Sequence, residues 1–119
     1  VIAIENSVDP DPEAVIGLLR ELKSPSVEAC FDAGHYYAFG KMSPFDALKW
    51  YPDGSIGELH LSDNKGDFDT HLPLGEGDID FRRLFKEVRE KGREPIITSE
   101  PHSREDIEVN LNYLLSLDL

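Results

Sequence analysis

The sequence predicts an α/β fold in which parallel strands alternate with helices along the whole chain. Three observations indicate this fold. Short apolar runs alternate with stretches whose apolar residues recur at helical spacing, turn residues mark each change of period, and the pattern repeats four times as strand then helix. Strands that are separated by helices in this way pair in parallel, because the helix returns the chain to the same end of the sheet.

Two strand–helix units fill the first half of the chain. An apolar run over 1–5 forms the first strand, and Asp11 caps the helix that follows. The predicted buried stripe of this helix consists of Val15, Leu18, Leu19 and Leu22. The second strand spans 27–32, and a loop with glycine and aromatic residues separates it from a short helix over 44–51, which Ser43 caps.

Two further units fill the second half. The third strand spans 56–61, and a long polar loop over 62–78 leads to a helix that ends near Gly92. The apolar stripe of this helix comprises Phe81, Leu84, Phe85 and Val88. The last strand spans 95–99, and Ser103 begins the final helix with a pattern similar to a capping box. Its predicted buried residues are Ile107, Leu111, Leu114 and Leu115.

Two architectures fit this order of elements. A flavodoxin-like open sheet is complete near 119 residues, but it usually carries a phosphate-binding loop after the first strand, and this sequence has none. A (β/α)8 barrel takes about 250 residues, so the chain would supply four of its eight units. Residue 1 is a valine inside an apolar run, so we expect the chain to begin within a fold.

The polar residues favour the half barrel. Each predicted strand ends in a residue that can bind a metal or transfer a proton, and the four are Glu5, Asp32, His60 and Glu100. The carboxyl ends of parallel strands meet at one rim, where barrel enzymes carry their chemistry. Three more candidates lie in the loops beyond this rim, and these are His35, Asp69 and His71.

Structural interpretations of these residues stay open. A strand-end carboxylate can cap the next helix, Asp32 can accept hydrogen bonds from loop amides, and His60 can be a core histidine. As a set, however, three carboxylates and one imidazole suit an open Mn²⁺, Mg²⁺ or Co²⁺ site better than a closed structural zinc site. Cys30 lies two residues before a strand end and is predicted to pack inside.

Composition excludes several classes of protein. The formal net charge of −12 disfavours nucleic acid as a partner, since an acidic surface repels phosphates. No apolar run approaches the roughly 20 residues that span a bilayer, so we expect no membrane partner. A single cysteine and no signal-like leader predict a cytoplasmic location. No serine nucleophile elbow, phosphate-binding GxxxxGK motif or cysteine cluster is present.

Three segments of the sequence, VIAIENS, VEACFDAGH and IGELHLSDNKGDFDTHLPLGEGDIDF, carry a family likeness. They resemble the later strands and loops of the xylose isomerase-like TIM-barrel superfamily, which includes sugar isomerases and epimerases as well as endonuclease IV. The resemblance covers nearly the whole chain. It implies that residues 1–119 form a single segment, strands five to eight of a (β/α)8 TIM barrel.

The resemblance also implies roles for the strand-end residues. One divalent metal, Mn, Mg, Co or Zn, would be held by Glu5, Asp32, His60 and Glu100. Glu5 and Glu100 would exchange protons with a small-molecule sugar substrate, and His35 would hydrogen-bond a substrate oxygen. This ligand set agrees with the donor types counted above.

Three functions remain in competition. We favour a metal-dependent isomerase or epimerase of a sugar or sugar phosphate that works through an enediolate and is incomplete as this segment. An endonuclease IV-like zinc phosphodiesterase that cleaves abasic DNA is the second, with further metal ligands at His35, Asp69 and His71. The third is a non-catalytic half-barrel fragment. Because four parallel strands leave two unpaired edges, we expect a missing amino-terminal half or a second copy to close the barrel.

Overall fold

The computed structural model describes all 119 residues as one parallel sheet with helices between its strands. The strands are β1 (Ile2–Glu5), β2 (Val27–Asp32), β3 (Ile56–Leu61) and β4 (Ile96–Ser99). The helices are α1 (Glu13–Leu22), α2 (Ala33–Phe39), α3 (Pro44–Leu48), α4 (Phe81–Glu90) and α5 (Arg104–Ser116). The strands lie in the order β1-β2-β3-β4, and every neighbouring pair is parallel. The predicted α/β half barrel is therefore confirmed.

The register of the sheet brings the strand ends together. Asp32 on β2 is the partner of His60 on β3, and Glu5 on β1 is the partner of Cys30, two residues before Asp32. Beyond the end of β4, the Glu100 N–H donates to the carbonyl of the last residue of β3 at 2.9 Å. Because side chains alternate between the two faces of a sheet, all four predicted site residues lie on one face.

The opposite face of the sheet carries the core. Phe31, Leu59 and Leu61 are fully buried there, and they belong to a cluster of 19 buried hydrophobic residues. Helix α4 contributes its whole predicted stripe, so the prediction for that helix is confirmed. The buried residues of α4 are Phe81, Leu84, Phe85 and Val88. Burial of apolar surface on this face, worth about 25 cal/mol per Å², stabilises the packing of the helices against the strands. The polar side chains of the other face are not part of this core.

Residues 33–39 form helix α2, where the sequence predicted a loop. The loop prediction was wrong, because it gave more weight to the glycine and aromatic residues of the segment than to the helix-capping residue that precedes it. The Asp32 carboxylate accepts from the His35 N–H at 2.8 Å and so begins the helix. Tyr36 anchors it from below, since its fully buried hydroxyl lies 2.6 Å from that of Tyr51. The segment that directly follows β2 is therefore helical.

Two of the predicted buried stripes are buried only in part. In α5, Ile107 and Leu111 are each 55% exposed and Leu115 is 72% exposed, while Leu114 packs against the core. In α1, Val15 is buried and Leu19 packs against the core as predicted, but Leu18 and Leu22 are exposed. The exposed residues were predicted wrongly, because apolar periodicity identifies a stripe on a helix but not the element that packs against it. No further strand pairs with the outer edge of β1 or of β4, so no helix of a neighbouring strand–helix unit packs there.

None of the five helices combines the length and the apolar content that crossing a membrane requires.

Candidate metal centre

The four strand-end residues converge at the carboxyl edge of the sheet. One ligand atom from each of Glu5, Asp32, His60 and Glu100 lies within 4.8 Å of all the others. His60 Nδ1 is 3.0 Å from Glu5 Oε1 and 3.2 Å from Glu100 Oε1. Metal–ligand bonds of about 2.0–2.6 Å from a shared centre produce separations of this size. The geometry therefore fits one divalent cation with four protein ligands.

Asp32 is the most buried member of this group. Its side chain is fully buried, Oδ1 accepts from the His35 N–H, and Oδ2 has no hydrogen-bond partner, with His35 Nδ1 3.5 Å away. Burial raises the pKa of Asp32 to about 6, the facing His35 opposes this rise, and the charges of Glu5 and Glu100 add to it. A buried carboxylate oxygen without a partner costs about 1–3 kcal/mol or more. A cation at the shared centre would provide that partner.

His60 is held between carboxylates on both sides of its ring. Burial lowers the pKa of His60, but the charges of Glu100 and Glu5 outweigh burial, so the net pKa is raised. Its second ring nitrogen, Nε2, lies 3.2 Å from Glu58 Oε1. Glu58 also accepts from the Thr98 hydroxyl at 2.6 Å, and this bond lowers the pKa of Glu58. His60 thus has polar surroundings, unlike those of a core histidine.

A second group of possible ligands adjoins the first. His35, Asp69 and His71 also place ligand atoms within 4.8 Å of one another. Asp69 Oδ2 is 3.3 Å from His35 Nε2 and 3.2 Å from His71 Nε2, and the buried Asp69 Oδ1 is also 3.2 Å from that His71 nitrogen. His35 links the two groups, because its Nδ1 is 3.6 Å from Glu5 Oε1. All seven predicted residues therefore share one side of the sheet.

Cys30 lies beneath the first group and is 2% exposed, as predicted for a packing residue. Burial, and then the charge of Glu5, raise the pKa of the Cys30 thiol far above its ordinary value. A neutral thiol is a poor metal ligand, since the thiolate is the form that binds. The oxygen and nitrogen donors therefore define the centre.

Comparison with known proteins assigns the chain to a family. The sequence model of the xylose isomerase-like TIM barrel matches residues 1–117. The chain belongs to this family. An uncharacterised protein of Methanocaldococcus jannaschii, MJ1311, is 31% identical over 90 residues, which are 75% of this chain and 30% of that protein. The predicted superfamily is therefore confirmed.

Solved structures superimpose on nearly the whole chain. A D-tagatose 3-epimerase-like protein matches with a TM-score of 0.76 and 24% identity, over 98% of this chain and 48% of that one. The TTHB071 protein of Thermus thermophilus, soaked with ZnCl2, matches with a TM-score of 0.68 and 31% identity, over 95% of this chain and 42% of that one. The chain thus spans less than half the length of these two proteins.

Two buried polar residues that support the candidate site were missed by sequence reasoning. Asn6 directly follows a predicted ligand, and its side chain exchanges hydrogen bonds with the backbone of Asp32. Its carbonyl accepts from His35 Nδ1 at 2.7 Å, which orients that ring. The available signal was its place one residue after the end of a strand, where side-chain amides often complete backbone pairing.

Asp63 is the second missed residue, and it shapes the long loop after β3. Its buried carboxylate accepts from three backbone N–H groups of that loop, those of Asn64, Gly75 and Ile79. Its backbone also pairs with Leu72, next to His71. A Cβ on Gly77 would lie 2.2 Å from Asp63 Oδ1, so this close approach requires glycine. The carboxylate therefore fixes the loop that carries Asp69 and His71.

Proposed function

We propose that the chain provides the metal-binding half of a divalent-metal-dependent isomerase or epimerase that acts on a sugar or sugar phosphate. The unpartnered, buried Oδ2 of Asp32 at the meeting point of four possible ligands carries this proposal. The chemistry of the donor set supports Mn²⁺, Mg²⁺, Co²⁺ or Zn²⁺, since it combines three carboxylates with one imidazole. The fold shared with a D-tagatose 3-epimerase-like protein adds support for a sugar substrate.

Glu5, Asp32, His60 and Glu100 would hold the metal. When bound, a divalent cation supplies Lewis acidity, which makes a C–H group next to a sugar carbonyl more acidic. Glu5 and Glu100 come from the two outermost strands, and their side chains are 34% and 30% exposed, so both can reach a substrate. In the proposed reaction one carboxylate removes the proton, an enediolate forms, and the other carboxylate returns the proton.

His35 is proposed to bind the substrate. Its Nδ1–H donates to the Asn6 carbonyl, which leaves Nε2 directed towards Asp69 on the open side of the site. Burial lowers the pKa of His35, but Asp32 and other acceptors outweigh burial and raise it overall. With Nδ1–H held by the Asn6 carbonyl, a proton on Nε2 would let that nitrogen donate to a substrate oxygen that gains negative charge during proton transfer.

The complete activity requires closure of the barrel. The outer edges of β1 and β4 are unpaired, and α5 exposes apolar residues beside β4. We propose that an amino-terminal half or a second copy of the chain supplies four more units and the rest of the substrate pocket. Without such closure, the chain would be the non-catalytic half barrel that the sequence left open, able to bind metal but not to turn over a sugar.

A zinc phosphodiesterase is the second candidate. The group of His35, Asp69 and His71 favours it, because their ligand atoms lie within 4.8 Å of one another and could hold a second cation. The net charge of −12 opposes it, since a DNA substrate would be repelled over most of the surface. We therefore place this function behind the isomerase.

Isotope exchange tests the favoured function most directly. The chain is first combined with the partner that closes the barrel, either an amino-terminal half or a second copy, and is loaded with Mn²⁺ or Co²⁺. It is then incubated with ketohexoses in D₂O, and deuterium entry at the carbon next to the carbonyl is followed by NMR. Exchange that is lost in Glu5→Gln and Glu100→Gln, and kept in Glu21→Gln on the exposed surface of α1, supports the proposal. Cleavage of abasic DNA with zinc and no exchange into any ketose would establish the second candidate instead.

A further inference from the structure

Glu58 contacts the proposed metal centre without belonging to its ligand set. One carboxylate oxygen, Oε1, accepts from the Thr98 hydroxyl at 2.6 Å and lies 3.2 Å from His60 Nε2. The other ring nitrogen of His60 faces the carboxylates of Glu5 and Glu100. The imidazole therefore bridges the ligand group on one side and a separate carboxylate on the other.

The sheet fixes the three residues relative to one another. Glu58 and His60 are two residues apart on β3 and share a face, with Glu58 one layer deeper in the sheet. Thr98 on β4 is the register partner of His60, which brings its hydroxyl beside the Glu58 carboxylate. All three lie inside paired strands, so their positions do not depend on the loops above the site.

An ionised carboxylate can only accept hydrogen bonds, so His60 must carry a proton on Nε2 to bond with Glu58. Nδ1 faces Glu5 Oε1 at 3.0 Å, and a cation bound at the shared centre would take the place of a proton on Nδ1 while Nε2–H keeps its bond to Glu58. Histidines that bind metals commonly donate their second N–H to such a partner, and loss of the partner typically costs about 10- to 100-fold in affinity.

We infer that Glu58, held in place by Thr98, is a positioning residue that sets the ring orientation and the Nε2-protonated form of His60 for cation binding through Nδ1. This inference rests on the proposed function for its role. The contacts that carry it join protein side chains alone, so it can be tested separately.

Cobalt affinity and NMR test the inference together. The dissociation constant for Co²⁺ is measured by chelator competition, and the His60 Nε2–H is observed by ¹H–¹⁵N NMR in the metal-free protein. We expect Glu58→Leu to weaken Co²⁺ binding about 10- to 100-fold and to remove the protected Nε2–H signal. Glu58→Gln keeps an acceptor oxygen and is expected to retain part of the affinity.

Thr98→Val provides the sharper variant, because it keeps the side-chain shape and the charge of Glu58 and removes only the hydroxyl. We expect about threefold weaker Co²⁺ binding or more, an altered Co²⁺ absorption spectrum, and recovery in Thr98→Ser. Glu28→Leu is the matched control, since Glu28 is a partly buried strand glutamate that bonds Arg93 and not His60. Its effect on affinity is expected to stay below about twofold.

Each outcome separates the inference from the function on which it rests. Wild-type affinity and spectrum in both Glu58→Leu and Thr98→Val, or a metal-free wild type that lacks the protected Nε2–H, would overturn the role of Glu58. A wild type that shows the Nε2–H but binds no Co²⁺ would instead reject the metal centre, and the positioning contact would stand. Circular dichroism of every variant excludes unfolding as the cause of a lost signal.

Discussion

Asn6 and Asp32 are joined by two hydrogen bonds that extend the pairing of β1 and β2 beyond the last backbone partners. Asn6 Nδ2 donates to the Asp32 carbonyl at 2.9 Å, and the Asp32 N–H donates to Asn6 Oδ1 at 2.8 Å. Both residues are fully buried. The side chain of one strand end therefore sets the backbone position of a proposed metal ligand on the next.

Replacement of Asn6 tests this bond pair. Asn6→Ala leaves the N–H and the carbonyl of Asp32 without partners in a buried place, and such groups cost about 1–3 kcal/mol. We expect a loss of about 2 kcal/mol in the free energy of unfolding, measured by urea denaturation. Asn112→Ala, on the exposed surface of α5, is the control. Equal stability of the two variants would contradict the bridging role of Asn6.

The charges at the centre predict how stability depends on pH in the metal-free protein. Burial raises the pKa of Asp32 from 3.8 to about 6, so folding takes up a proton there and stability falls as pH rises through this window. The raised pKa values of His35 and His60 act in the same direction, because their stabilisation is lost above their ordinary 6.5. We expect thermal melts with saturating Mn²⁺ to show a larger gain at about pH 8 than at about pH 5. A gain that grows on acidification would contradict this sign.

Asp32→Asn isolates the contribution of that carboxylate. The variant keeps an oxygen for the His35 N–H and removes the buried charge, so we expect the metal-free protein to gain up to about 3 kcal/mol at neutral pH. The same variant should lose the stabilisation by Mn²⁺. Both effects are read from melts with and without the metal. A variant that still gains stability from Mn²⁺ would show that Asp32 is not a ligand.

Zinc stoichiometry tests the second group of ligands. If His35, Asp69 and His71 hold a cation of their own, Asp69→Asn should reduce the number of bound Zn²⁺ ions by one and leave Mn²⁺ binding at the first centre within about threefold. Asp67→Asn, in the exposed part of the same loop, is the control. Bound zinc would be counted by elemental analysis after dialysis. An unchanged count in Asp69→Asn would remove the main support for the phosphodiesterase.

A pair of leucines tests where the core ends. Leu59 is fully buried under the helices, and Leu59→Ala is expected to cost about 2–5 kcal/mol. Leu115 is 72% exposed, so Leu115→Ala is expected to stay within about 0.5 kcal/mol in the same chain. Urea denaturation compares the two. A large loss in Leu115→Ala would mean that a partner covers the outer surface of α5 in solution.

The sheet and the meeting of its strand ends could be predicted from the sequence. The bounds 27–32 and 56–61 agree with β2 and β3, and Ser103 caps α5 by accepting from the Asp106 N–H as its pattern indicates. Parallel strands with a shared direction must bring their carboxyl ends to one edge, so four spaced polar residues were enough to locate the site. Their roles as ligands and proton carriers stay predictions.

The remaining features depend on contacts that no local pattern encodes. The Asn6–Asp32 bonds join residues 26 positions apart, and the Asp63 carboxylate collects N–H groups from both ends of a long loop. The exposed stripe of α5 was predicted as buried, since hydrophobic spacing is the same whether or not a neighbour exists. Such features cannot be predicted from local patterns, because they depend on where distant residues lie in the folded chain.

The four donors of the proposed centre come from four successive strands of one segment, with Glu58 and Asn6 supporting them from the same strands or their ends. The groups that would select the ion would thereby be encoded apart from the part of the sugar pocket that the other half of the barrel would supply. A recombinant chimera that pairs this segment with the front half of a different barrel should retain its choice of metal and change its substrate preference. The segment would then be a separable metal-binding half.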